Sequence, residues 1–127
     1  MNYGFQRTLA LDLDTAEQRI RDSLMTQGFG ILTEIDVQKA FQEKLNINFH
    51  RYRILGACNP QLAHQALQSE AAVGLLMPCN VVLWSNDDDS TTVSIASAVS
   101  ILTLTDADLS KLAKDVDVLL ETALQTM

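Results

Sequence analysis

The sequence predicts an α+β fold, with helices packed on one face of a mostly antiparallel sheet. Three features of the chain impose it. Strand-like and helix-like segments are interleaved from end to end. Asn80–Ser85 and Thr91–Ala96 are separated only by the turn residues Asn86–Ser90, so Trp84 to Ser94 must form an antiparallel hairpin. The apolar stripe of the last helix, Leu109 to Leu124, is wide enough to lie across a sheet.

The elements follow in order. Residues 3–13 alternate loosely, with Tyr3, Phe5, Leu9, Leu11 and Leu13 at odd positions, and read as a half-buried strand. Asp14 is the expected N-cap of the first helix, with Glu17 reaching back to complete a capping box. Ala16, Ile20 and Leu24 form one stripe, and Gly28 is placed to end the helix in a left-handed conformation. Phe29–Ile35 is a second strand, and Asp36 caps a short helix with Val37, Phe41 and Leu45 on one side. Asn46–Phe49 is a loop.

The third strand runs from Arg51 to Ala57. Alternation puts Tyr52, Ile54 and Gly56 on one face, and Arg51, Arg53 and Leu55 on the other. Asn59 is the next N-cap, because Pro60 suits a first helical turn where its missing N–H is not needed. Leu62, Ala63, Ala66 and Leu67 make the buried side of that helix. Gly74–Pro78 is a connector, and residues 97–104 read either as strand or as an ordered connection. Thr105 is the expected N-cap of the last helix, with Asp106 and Asp108 at the positive end of its dipole. No linker or low-complexity tract interrupts the chain, so residues 1–127 are expected to form a single α+β domain.

Composition narrows the function classes. The chain is 47% hydrophobic, enough to build a core without disulfides or a structural metal. Its formal net charge is -7, with nine basic residues scattered among sixteen acids. Phosphate backbones and anionic membrane surfaces both demand clustered cations, so neither nucleic acid nor membrane is an expected partner. No segment has the ~20 apolar residues of a membrane span, and no basic stretch leads into an apolar run at the N-terminus. Two cysteines far apart do not make a disulfide framework, and a cytoplasmic setting with reduced thiols is expected.

Two segments concentrate the candidate chemistry. Arg51-Tyr-Arg-Ile-Leu-Gly-Ala-Cys-Asn-Pro and Met77-Pro-Cys-Asn-Val each set a Cys-Asn pair beside a proline at the edge of an apolar run. Together with Gly28-Phe-Gly-Ile-Leu-Thr-Glu-Ile-Asp, and with Gly74-Leu-Leu-Met leading into the second, they resemble the signature blocks of the domain of unknown function 302 family, in matching order and spacing. The resemblance covers residues 3–95 closely and the final helix more loosely. It implies a small bacterial or archaeal α+β domain whose antiparallel sheet has the arrangement named after the TATA-binding protein. It implies no reaction, and one architecture hosts many roles. Family members typically carry an acid-Pro step after the hairpin, where this chain has Ser94-Ile-Ala-Ser-Ala-Val-Ser-Ile-Leu.

Seven residues frame a candidate ligand pocket: Glu34, Arg51, Arg53, Cys58, Asn59, Cys79 and Asn80. Cys58 precedes a helix start and follows two arginines, an environment that lowers a thiol pKa. The competing reading makes both cysteines small buried hydrophobes, and the lack of a C-x-x-C favours it. Asn59 and Asn80 either line the pocket or hold a cap and a turn. Glu34 is either a general base or an ion-pair partner of Arg51 or Arg53. The order His50, Cys58, His64, Cys79 fits no compact zinc spacing, so no metal is expected. No Gly-rich phosphate loop or nucleophile elbow is present, and no cofactor is expected. Asp87–Asp89 is a solvated hairpin tip without an EF-hand pattern. Trp84 is expected in the core. The function expected is a ligand-binding or interaction module acting as a homodimer, with thiol-dependent redox or metal handling at Cys58 and Cys79 as the alternative.

Overall fold

A computed structural model describes residues Met1–Met127. Its strands are β1 (Gly4–Leu9), β2 (Gly30–Asp36), β3 (Tyr52–Cys58), β4 (Cys79–Ser85) and β5 (Thr91–Ala96). Its helices are α1 (Leu13–Thr26), α2 (Val37–Leu45), α3 (Pro60–Ser69), α4 (Ala98–Ile101) and α5 (Ser110–Thr126), with 3₁₀ turns at Ala71–Leu76 and Leu102–Leu104. The strands form one sheet in the order β1-β5-β4-β3-β2, and every neighbouring pair is antiparallel.

Alternation sorts the sheet into two unlike faces. Leu55 and Ala57 of β3, Val81 and Leu83 of β4, and Val93 and Ile95 of β5 are buried in one cluster with α1 and α5. Leu13, Ala16, Ile20 and Leu24 supply the α1 side of that core, and Ala113, Val116, Leu120 and Leu124 the α5 side. Ser23 of α1 donates its hydroxyl to the Ala123 carbonyl of α5 at 2.5 Å, tying the two helices together. Arg7 of β1 donates to the Leu124 carbonyl at 3.0 Å, satisfying the end of α5 where helix carbonyls lack partners.

The opposite face follows from the register. One row across it runs Thr8, Thr92, Trp84, Tyr52. The next runs Gln6, Ser94, Val82, Ile54, Ile35. A third holds Asn80, Gly56 and Thr33, the last brought into line by a bulge between Ile31 and Thr33. Trp84 therefore stacks on its cross-strand partner Tyr52, with ring centroids 5.8 Å apart and planes 6° from parallel. This corrects its expected core placement: an even-numbered position on β4 points away from α1 and α5. Phe49 bridges from Phe41 of α2 towards Tyr52, so α2 flanks one end of this face.

Several local expectations hold. Asp36 accepts from the Lys39 amide and caps α2, Asn59 accepts from the Leu62 amide and caps α3, and Gly28 takes φ +84° after α1. Three differ. The cap of α1 is Asp12, whose carboxylate accepts from the Thr15 amide at 3.0 Å; starting there puts Leu13 in the core and frees Asp14 for arginines. Thr105 and Asp108 form tight turns ahead of α5 instead of capping it, because the helix begins only at Ser110. Leu67 stays 43% exposed, since Ala66 is the residue of α3 that packs against Val73 and Leu109. Residues 97–104, ambiguous in sequence, are the Ser97 cap, α4 and a 3₁₀ turn.

Candidate functional site

The site is built where four chain segments end. β3 runs out at Cys58, and Asn59 then turns the chain into α3. The 3₁₀ turn Ala71–Leu76 brings it back to Pro78 and Cys79, the start of β4. Ala57 and Cys79 are direct partners across β3 and β4, so the two Cys-Asn segments lie side by side. β5 ends at Ala96 and passes into α4, which closes the remaining side together with α5.

These segments line a half-open cavity of about 60 Å³. Cys58, Asn59 and Cys79 border it, with Leu62, Ala66 and Val116 among its apolar walls. Asn59 is the one amide of the lining, and its side-chain oxygen is already engaged by the Leu62 amide. The cavity is thus an apolar space with sulfur at its rim.

Burial pushes the Cys79 thiol up to about 11, because a thiolate there would lose its hydration. The nearby Cys58 and Asp117 act in the same direction, by repelling a second negative charge. Cys79 is accordingly a neutral thiol at neutral pH. Both cysteines are free.

Asp117 of α5 positions the far wall. It accepts from the Ser97 hydroxyl at 2.6 Å, the Ala98 amide at 2.6 Å and the Val99 amide at 3.3 Å. Ser97 caps α4 by accepting from the Ser100 amide, and the acid from α5 serves the Ala98 and Val99 amides that this cap leaves over. Sequence reasoning missed Asp117; the available signal was an acid set between Val116 and Val118 in an otherwise apolar stretch.

The other four pocket candidates do not reach the cavity. Arg51 and Arg53 lie at the opposite end of β3, five strand positions and ~17 Å from Cys58 in the case of Arg53. Arg51 donates to Asp14 at 2.8 Å, while Arg53 donates to Asp14 at 2.9 Å and to Glu17 at 2.8 Å. Those bonds hold the Asp14 carboxyl below its usual range, Arg53 contributing most and Arg51 next. Glu34 pairs with Arg21 at 3.1 Å, which corrects the expected partnership with Arg51 or Arg53. All six residues form a chain of alternating charges clamping α1 to β2 and β3. Asn80 is exposed and pairs with Gly56 on the face away from the helices. Neither arginine therefore stands beside Cys58 to activate it.

The histidines are also apart from the site. His64 is exposed on α3, and His50 stacks on Phe49 with ring centroids 4.0 Å apart. No three of the His, Cys, Asp and Glu side chains converge in an arrangement suited to a metal ion. No helix is long and apolar enough to cross a membrane.

Comparison with known proteins bears on the same blocks. No curated protein matches the chain. The crystal structure of an uncharacterized conserved protein DUF302 from Bacillus stearothermophilus is similar to it over 98% of both chains, with 25% sequence identity and a TM-score of 0.87. The family model described as Domain of unknown function DUF302 matches residues 5–127, nearly the whole fold and every wall of the cavity. The chain therefore belongs to the domain of unknown function DUF302 family.

Proposed function

We propose that this protein is a small ligand-binding module that acts as a homodimer in the cytoplasm. One observation carries the binding reading: Cys58, Asn59 and Cys79 meet at a cavity whose other walls are apolar. Its size selects the ligand. A cavity of about 60 Å³ is far below the ~300–1,000 Å³ that encloses drug-sized molecules. The occupant is a short apolar group, such as the end of an alkyl chain, and not a nucleotide or a sugar. The homodimer reading is supported by the two unpaired edges of the sheet, β1 and β2, and by its helix-free face, since symmetric pairing is the commonest way to cover such surfaces.

Titration with n-butanol, followed by amide NMR, tests the cavity. Shifts are expected at Cys79, Ala66 and Val116, and Ala63→Leu, which fills the space, is expected to remove them. No shift at those amides at tens of millimolar butanol overturns the reading. Size-exclusion chromatography with light scattering tests the pairing: a dimer is expected at high micromolar concentration, and a monomer overturns it.

Thiol chemistry is the alternative, favoured by both cysteines bordering one cavity. Two features weigh against it. The register opposes Cys79 to Ala57 and not to Cys58, and the Cys79 thiol is pushed up to about 11. Iodoacetamide labelling decides: thiol chemistry requires Cys58 to react below about pH 8, and protection of both cysteines in the folded protein rules it out.

A further inference from the structure

We propose that the cavity takes a short alkyl chain bearing an uncharged oxygen acceptor (a small ketone, aldehyde or alcohol) and that the side-chain N–H of Asn59 recognises that oxygen. This rests on the ligand-binding reading and names the polar head that the apolar walls leave open.

Exclusion of charge is the first argument. None of the 18 residues lining the cavity is Asp, Glu, Lys, Arg or His. A carboxylate or ammonium drawn in would lose water and gain no counter-ion, which costs more than burying a neutral group. The start of α3 offers an anion no nest. Pro60 has no N–H, and the Leu62 and Ala63 amides are already taken by Asn59. Asp117, whose charge is felt at Cys79, repels a carboxylate further.

A free donor is the second argument. Asn59 brings two polar side-chain atoms to the rim, and they differ. Its Oδ1 accepts from the Leu62 amide at 3.3 Å, which fixes which way the side-chain amide is turned. Its Nδ2 lies over Gly28, 3.0 Å from where a Cβ would stand, and meets no acceptor in the protein. Gly28 leaves it that room, and the next residue, Phe29, lines the cavity. The donor is not sealed in either: the one buried side-chain N or O atom without a partner is Oε2 of Glu70. An oxygen acceptor at the rim therefore gains a hydrogen bond while its alkyl chain enters between Leu62, Ala66 and Val116. The thiols of Cys58 and Cys79 are weak donors and do not compete for it.

Butan-2-one, butyrate and xenon, titrated separately at neutral pH and followed by amide NMR, test this in wild type and in Asn59→Asp. Aspartate caps a helix as well as asparagine does, so the variant keeps the capping oxygen and removes the donor. Circular dichroism checks the fold. Wild type is expected to bind butan-2-one, with shifts at Cys79 and Ala66, at least ~10-fold more tightly than butyrate. Asn59→Asp is expected to weaken butan-2-one ~5-fold and to leave xenon, which needs no hydrogen bond, unchanged. Should the variant fail to fold, the comparison of ketone with butyrate in wild type still decides. Butyrate binding as tightly as the ketone, or a ketone affinity unmoved by Asn59→Asp, overturns this inference, while xenon shifts at the same amides leave the cavity reading intact. A wild type that responds to neither xenon nor the ketone removes both.

Discussion

Asp117 of α5 accepts a hydrogen bond from the Ser97 hydroxyl at 2.6 Å, across 20 residues of sequence. The same carboxylate accepts from two amides at the start of α4, so one side chain fixes the wall of the cavity to the longest helix. Asp117→Ala leaves those donors without their partner in a half-buried place. It is expected to destabilise the protein by about 1–3 kcal/mol, with Ser97→Ala losing less. A double-mutant cycle by urea denaturation checks the coupling; strictly additive losses would mean the pair does not act as a unit.

Alkaline stability reports on Cys79. Its thiol ionises near 9.0 in the unfolded chain and about 11 when folded, because burial opposes the charge. The unfolded state therefore releases a proton first as pH rises. Stability is fully present below pH 9.0 and is lost between 9.0 and about 11, by roughly 2–3 kcal/mol. Urea midpoints of wild type and Cys79→Ala across that range are expected to converge, because the variant lacks this proton release.

Acid stability has the opposite sign. Hydrogen bonds hold the Asp12 and Asp14 carboxyls below 3.8, the first through the side chain and then the amide of Thr15, and the second through Arg53 and Arg51. The unfolded chain takes up their protons first, so stability is lost as pH falls below 3.8. At neutral pH, Asp12→Ala is expected to lower the melting temperature more than Asp14→Ala. A cap satisfies free helix amides, whereas exposed ion pairs contribute little. The reverse order in thermal melts would return the cap to Asp14.

Gly56 has no room for a side chain. A Cβ there would stand 2.7 Å from Pro78 Cγ and closer still to Thr33 Oγ1. Gly56→Ala is expected to destabilise by about 1–3 kcal/mol, and Thr33→Gly in the same chain to recover part of the loss. Chemical denaturation of the single and double variants measures both.

Much of the fold was legible because it is fixed over a few residues. Asp36 and Asn59 each cap an amide three positions away, and Gly28 ends α1 with a conformation that side chains disfavour. The alternation of Arg53 and Leu55 against Tyr52 and Ile54 divided β3 into two faces, and the structure keeps that division, with Leu55 on the helix side. The choice between Asp12 and Asp14 was not legible. Both acids can cap, and only the need to bury Leu13 separates them.

The candidate site divides in the same way. Its two Cys-Asn segments stand out in the sequence, and hydrogen bonding along β3 and β4 does set them side by side. Arg51 and Arg53 precede Cys58 by only a few residues, yet strand length carries them to the far end of β3, where α1 offers carboxylates, and Glu34 meets Arg21 instead of either. The amino-acid sequence by itself determined the family, most of the secondary structure and the two faces of β3, because these depend on short-range hydrogen bonds and on the period of apolar residues. Tertiary structure alone decided the partner of each charge, the reach of Asp117 to α4 and the existence of the cavity, because each depends on distances between elements that only packing sets.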